Sequence, residues 1–292
     1  VLAEFAIVVV VLWLLLAALL EFGRMLAVGQ MLQNAAHAAA RSLALSEEVA
    51  AESSLPAALA SPWGRRQLFD PEWLVLDFAA LAACGRVPPG DEEAFEDFVA
   101  ELPLVNRMLR PAMIPDRVSD PGRERRDLLR YPGALLRRLE APADPCASPY
   151  TIGIPQVSGD RVRWLPVIEE AGGAGNGFAL SQGGVAALRI HYPYAAVAWS
   201  ATADASRPLA ALVRADAVVV PVNPEEAGPG GGLRGAPIDA LEGEVGPYAG
   251  RYGLGRQLLP LPEASAFGVR PYARILVGQA AFPREVVAPW PP

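Results

Sequence analysis

The 292-residue chain contains no lysine; all 25 of its basic residues are arginine. That absence excludes side-chain Schiff bases, the phosphate-gripping lysine of a P-loop and lysine-based isopeptide cross-links, so lysine-joined surface polymers are ruled out. The α-amino group of Val1 is the sole primary amine. Histidine occurs only at His37 and His191, and cysteine only at Cys84 and Cys146. No HExxH, CxxC or GxSxG pattern is present, and no cofactor, metal site or catalytic group is expected. Proline is missing from the first 55 residues, although 29 prolines follow in residues 56–292. A long uninterrupted element beside a loop-rich body is the implied layout. The hydrophobic share of 52% excludes a wholly disordered chain, and the net charge of −7 argues against a nucleic-acid partner.

What is present at the N-terminus is an apolar run. Phe5 to Leu20 (FAIVVVVLWLLLAALL) holds sixteen residues without a charge. Twenty helical residues at ~1.5 Å each reach ~30 Å, the hydrocarbon thickness of a bilayer. A signal peptide would need a basic n-region and a small-residue cleavage site, and neither flanks the run. The chain starts at Val1 rather than Met, and the expectation is that processing has already occurred upstream and the helix is retained. Glu4 interrupts the apolar count. Two readings stand: a first-turn acid at the interface, favoured by the helix dipole, or a carboxylate paired with the Val1 amine of its own or a neighbouring chain. Good helix formers continue through MLAVGQMLQNAAHAAARSLALSEEVAAESSL, with Met25, Leu26, Val28, Leu32, Ala35, Ala36 and Ala39 at spacings of three and four. Nothing stops the helix before Ser53-Ser54-Leu55-Pro56, with Gly23 and Gly29 as soft points. A helix of that length leaves half of itself outside the bilayer with an apolar face to cover.

The Ala-Glu-Phe-Ala start, the apolar run, Glu21-Phe22-Gly23-Arg24, and Gln33-Asn34-Ala35-Ala36 leading to Ala40-Arg41 together resemble the N-terminus of TadE-like pseudopilins, from the tight-adherence branch of type IV pilus systems. The resemblance covers about residues 1–45. Val185 to Trp199 is loosely similar to the family's strand carrying a Tyr-Pro pair. The resemblance implies a leader removed by a prepilin peptidase, residence in the cytoplasmic membrane, and extraction by inner-membrane assembly machinery into an extracellular filament on the cell surface. The partners it implies are further copies or related pilins. It also implies a glutamate that neutralises the terminal amine of an adjacent subunit, which places Val1, Glu4 and Phe5 at the assembly contact. The family glutamate usually stands fifth after the cleavage point; here it stands fourth. The rival reading is a single-pass membrane-anchored envelope protein whose body binds a partner or ligand.

The expected fold class is α+β: a long pilin-like helix over residues 1–55, then a proline-rich body over 56–292. Within the body, about 56–140 reads as helical and about 150–292 as an antiparallel sheet. Helices are expected over Pro71–Cys84, from Asp91 to a break at Pro103, and over Arg123–Leu139. The last carries Arg123, Arg125, Arg126, Arg130, Arg137 and Arg138 and reads as a solvated amphipathic face. Strands are expected at Arg161–Val167, Val185–His191, Tyr194–Trp199, Ala217–Val222 and Tyr272–Val277, from β-branched and aromatic residues bounded by Gly or Pro. Loops are expected over Glu169–Gly177 and Pro224–Gly235. The glycine-rich Gly172–Gly177 lacks the lysine of a phosphate loop. Asp91-Glu92-Glu93 reads as a helix start and not as an EF-hand. Cys84 and Cys146 are a disulfide candidate, allowed in an extracytoplasmic body, with two buried free thiols as the alternative.

Overall fold

A computed structural model describes residues 2–49, 52, 54–119, 125–138, 141–158, 161–171, 184–195, 238–240 and 273–284. Its architecture is an α+β mixture. Helix α1 (Leu2–Leu45) is followed by α2 (Leu55–Ala60), a π-helical turn (Gly64–Leu68), a 3-10 turn (Pro71–Leu74), strand β1 (Val75–Asp77) and α3 (Phe78–Ala83). Next come α4 (Glu92–Glu101), α5 (Leu104–Leu109) and strands β2 (Ile114–Ser119), β3 (Arg125–Arg130), β4 (Ala134–Arg138), β5 (Tyr150–Ser158) and β6 (Arg161–Leu165). Strands β7 (Ile168–Glu170), β8 (Val185–Ala195), β9 (Ile238–Ala240) and β10 (Ala273–Pro283) complete the described elements. The sheets have the orders β1-β3-β2, β10-β8-β7 and β6-β5-β4-β9, with antiparallel pairing throughout these ladders.

The first helix is one element with two environments. From Leu32 onward its Leu32, Ala35, Ala36, Ala39, Ala40 and Leu43 are fully buried, at the three-and-four spacing of one helix face. They pack on the inward residues of β8, where Ala186, Leu188 and Ile190 alternate with outward positions. The small alanines let helix and sheet come close. At Gly278 an added Cβ would lie 2.4 Å from the Leu32 carbonyl carbon and 2.8 Å from the Gln33 nitrogen, so only glycine fits. A second core gathers Leu76, Leu81, Val87, Phe98, Val99, Leu102, Leu129 and Cys146.

Several expectations are corrected. The first helix stops at Leu45 instead of running to Ser53. The Arg284 guanidinium donates to the Ser46 carbonyl at 2.9 Å, and Val49 turns into the core, so tertiary contacts override local helix propensity. Of the helix expected over Arg123–Leu139, the described residues 125–138 form β3 and β4 instead, with Tyr131–Gly133 between them. Strand β3 lies centrally between β1 and β2, which gives its backbone partners on both sides. Gly133 has φ +153 and sits against Ile152 and Gly153, where a side chain would collide. Pro71–Cys84 is likewise divided, because Val75 and Leu76 are both buried in a strand and Asp77 caps the helix after it by accepting from Ala79 and Ala80. The two strands expected at 185–191 and 194–199 are one, running through Pro193. Beyond His191, whose amide still donates to the Val167 carbonyl, β10 is the ladder partner of the strand among the described residues, and the opposite edge is open at Pro193, which donates nothing.

The other expected boundaries fare variously. Asp91 caps α4 by accepting a hydrogen bond from the Ala94 amide through its carboxylate, and the break at Pro103 separates α4 from α5. Strand β6 ends at Leu165, and β10 extends to Pro283, past the expected Val277. Glu169 and Glu170, expected in a loop, belong to β7. Residues 196–199, Ala217–Val222, Pro224–Gly235 and Gly172–Gly177 lie outside the described residues.

Candidate membrane and assembly helix

The half of α1 before the body is apolar and bare. Phe5 is 68% exposed, Trp13 59% and Leu20 67%, and the large residues between them are similarly open. The helix from Glu4 is long and apolar enough to cross a membrane. Apolar surface on this scale is costly in water and needs lipid or other helices around it. Glu4 lies in the first turn with an exposed side chain, next to exposed Phe5. Val1 lies outside the described residues, so the structure does not place the amine that Glu4 is expected to meet. Gly23 and Gly29 sit within continuous helix, each with open space where a side chain would be.

The transition between the two halves is marked by charge. Glu21, immediately after the apolar run, is only 9% exposed. The Tyr194 hydroxyl donates to its carboxylate at 2.5 Å and lies 3.2 Å from its main-chain carbonyl. The Arg24 guanidinium stands over the Tyr194 ring, 4.9 Å from the centroid. Burial, then the bond to Glu21, pushes the Tyr194 phenol up to about 12, so it remains a donor at any physiological pH. Sequence reading missed this junction, since its partners are 173 positions apart. The available signal was Glu21 itself, a carboxylate ending an apolar run, which needs a donor wherever it is buried.

Further along, α1 and β10 are joined at successive points, Gln33 to Gln279 and His37 edge-on to Phe282 at 5.9 Å, and Ser46 and Arg284, just past their ends, are joined as well. The other histidine, His191, is buried on β8. Its Nδ1 is 2.9 Å from the Pro166 carbonyl and its Nε2 3.3 Å from the Glu169 carboxylate, which also pairs with Arg189. Burial alone would raise the Glu169 carboxyl, but His191 and Arg189 outweigh it and hold it below the ordinary glutamate value. Among the described residues no group of three or more His, Cys, Asp or Glu is placed to hold a metal ion. Cys84 and Cys146 form a disulfide with Cα atoms 5.6 Å apart, joining the end of α3 to the segment before β5.

No curated protein and no solved structure matches the chain. Residues 1–41, which hold the bare half of α1, the Glu21–Arg24 junction and much of the Ala-rich face, match the family model described as TadE-like protein, and this N-terminal segment is TadE-like.

Proposed function

We propose that this protein is a structural subunit of a type IV pilus-like, tight-adherence filament and not an enzyme. The observation that carries the reading is the division of α1: a bare apolar half, continuous with a half built into the core of a folded body. The TadE-like match over residues 1–41 supports it. A pilus-associated, membrane-anchored protein is the coarser description that the same match and helix fit.

In this reading the bare half of α1 lies in the cytoplasmic membrane after a prepilin peptidase has removed a leader. Inner-membrane assembly machinery then extracts it into a filament, where helices of neighbouring subunits or related pilins replace the lipid. Burying this apolar surface contributes roughly 25 cal/mol per Å² relative to water. Its gain over lipid comes from close packing and from satisfied polar groups. Glu4 sets the register: buried among neighbouring helices, its carboxylate is tolerated only where it meets a cation such as the Val1 amine of an adjacent subunit. Phe5 packs beside that contact, and the body faces outward.

Replacement Glu4→Ala tests this role. The variant is expected to insert in the membrane as the parent does but to enter filaments at a much lower level. Filament incorporation equal to the parent's would refute the assembly role of Glu4.

A further inference from the structure

Among the described residues no stalk separates the body from the apolar run. The apolar run ends at Leu20, and the very next residue, Glu21, is already held by Tyr194 from the far end of β8. From Glu21 to Leu45 the helix rises ~36 Å, and the eleven residues of β10 extend ~36 Å. The contacts along this length come in matching order, with Tyr194 at Glu21, Gln279 at Gln33, Phe282 at His37 and Arg284 at Ser46. Helix and sheet therefore start and end together. The end of the sheet that carries Tyr194, with Ala195 paired to Ala273, stands at the level where the apolar run stops. Exposed Arg24 stands within one helical turn of it, a guanidinium of the kind that lipid phosphates attract.

We propose that, while α1 spans the membrane, the Tyr194 end of the β10-β8-β7 sheet rests on the lipid headgroup layer, fixed there by the clasp of Glu21, Tyr194 and Arg24. The inference rests on the membrane residence of α1 put forward under Proposed function and adds which surface of the body meets the bilayer. The phenol of Tyr194 grips both the carboxylate and the carbonyl of Glu21, so the strand end cannot swing away without losing both contacts. The bilayer thereby serves as a second support for the body until the helix is withdrawn.

Spin labels on introduced cysteines test it, because the two native cysteines are paired. The full chain carrying Ala195→Cys or Val185→Cys is placed in phosphatidylcholine nanodiscs containing a lipid with a headgroup-chelated paramagnetic ion. These positions are ten residues apart, ~33 Å along the strand. The expected result is a several-fold larger relaxation enhancement at 195 than at 185. Equal, weak enhancement at both positions in membrane-inserted protein would overturn the docking while leaving membrane residence intact. Failure of the chain to partition into nanodiscs at all would overturn both. Adding Tyr194→Phe is expected to reduce the enhancement at 195 several-fold and leave 185 unchanged. An undiminished signal at 195 would reject the clasp as the element that fixes the sheet.

Discussion

The side-chain amide of Gln33 pairs with the backbone of Gln279 at both ends, its Nε2 donating to the carbonyl at 2.6 Å and its Oε1 accepting from the amide at 3.2 Å. A helix side chain thus occupies backbone groups of β10 that another strand would otherwise take, at a strand that terminates its sheet among the described residues. Open strand edges invite edge-to-edge association. Under the proposed filament role, in which subunits associate through helices, having this edge occupied is an advantage.

Gln33→Ala is therefore expected to cost about 1 kcal/mol, the net worth of partly exposed hydrogen bonds. It should also increase non-specific aggregation. Thermal unfolding of the detergent-solubilised chain reads the first effect, and light scattering of the same samples the second.

Gly278→Ala addresses the same seam from the other side. The new Cβ would fall within 3 Å of three backbone atoms of α1, which cannot move aside as a flexible side chain would. A loss of about 2–3 kcal/mol is expected, as for other overpacked sites. A melting temperature equal to the parent's would show that the helix and β10 do not approach as described.

Acid should loosen the contact between β7 and β8. The Glu169 carboxyl is held below its ordinary value of 4.5 in the folded chain. A group depressed on folding contributes stability that is full above its unfolded value and is lost as pH falls through the folded one. Glu72 behaves the same way: burial raises it, but the amides of Ala143 and Asp144 and the Arg65 guanidinium outweigh that. Asp70 has the opposite sign. Burial dominates there and raises it above 3.8, which favours the folded state on the acid side and partly offsets the other two. The expected melting profile declines below pH ~4.5, and Glu169→Gln should flatten that decline. An unchanged acid limb in the variant would contradict the assignment.

The disulfide closes a separation of 62 residues. Its loss is expected to cost about 4 kcal/mol in the chain-entropy description. The double variant Cys84→Ser with Cys146→Ser should unfold at a clearly lower denaturant concentration, and the unreduced parent should give no reaction with a thiol reagent after denaturation.

The parts of this fold legible in sequence are those with a long, regular signal. The apolar run, the absence of proline before Pro56 and the Ala-rich spacing from Leu32 to Leu43 all point to α1, and Asp91 points to the start of α4. What fails is local propensity where tertiary pairing decides. Leu128, Leu129 and the arginines around them suit a helix, yet β1 and β2 claim that backbone from both sides. Arg130, expected on a solvated face, is buried and donates to the Gly133 carbonyl at 2.7 Å. The end of α1 is set by Arg284, a residue 238 positions away that no local window contains. At the assembly helix the pattern is similar. Glu4 and Phe5, whose assembly role is a proposal, stand out by position alone, whereas the Glu21–Tyr194 junction exists only once β8 lies along the helix.

Shear fractionation combined with electron microscopy tests the account most directly. Cells that make the filaments are sheared, and the chain is quantified in the released surface material and in the membrane pellet. A filament subunit is expected in the sheared fraction, on filaments that an antibody to the body decorates along their length. Recovery of the chain only in the membrane pellet, with undecorated filaments in the sheared material, would contradict the account and favour an anchored envelope protein.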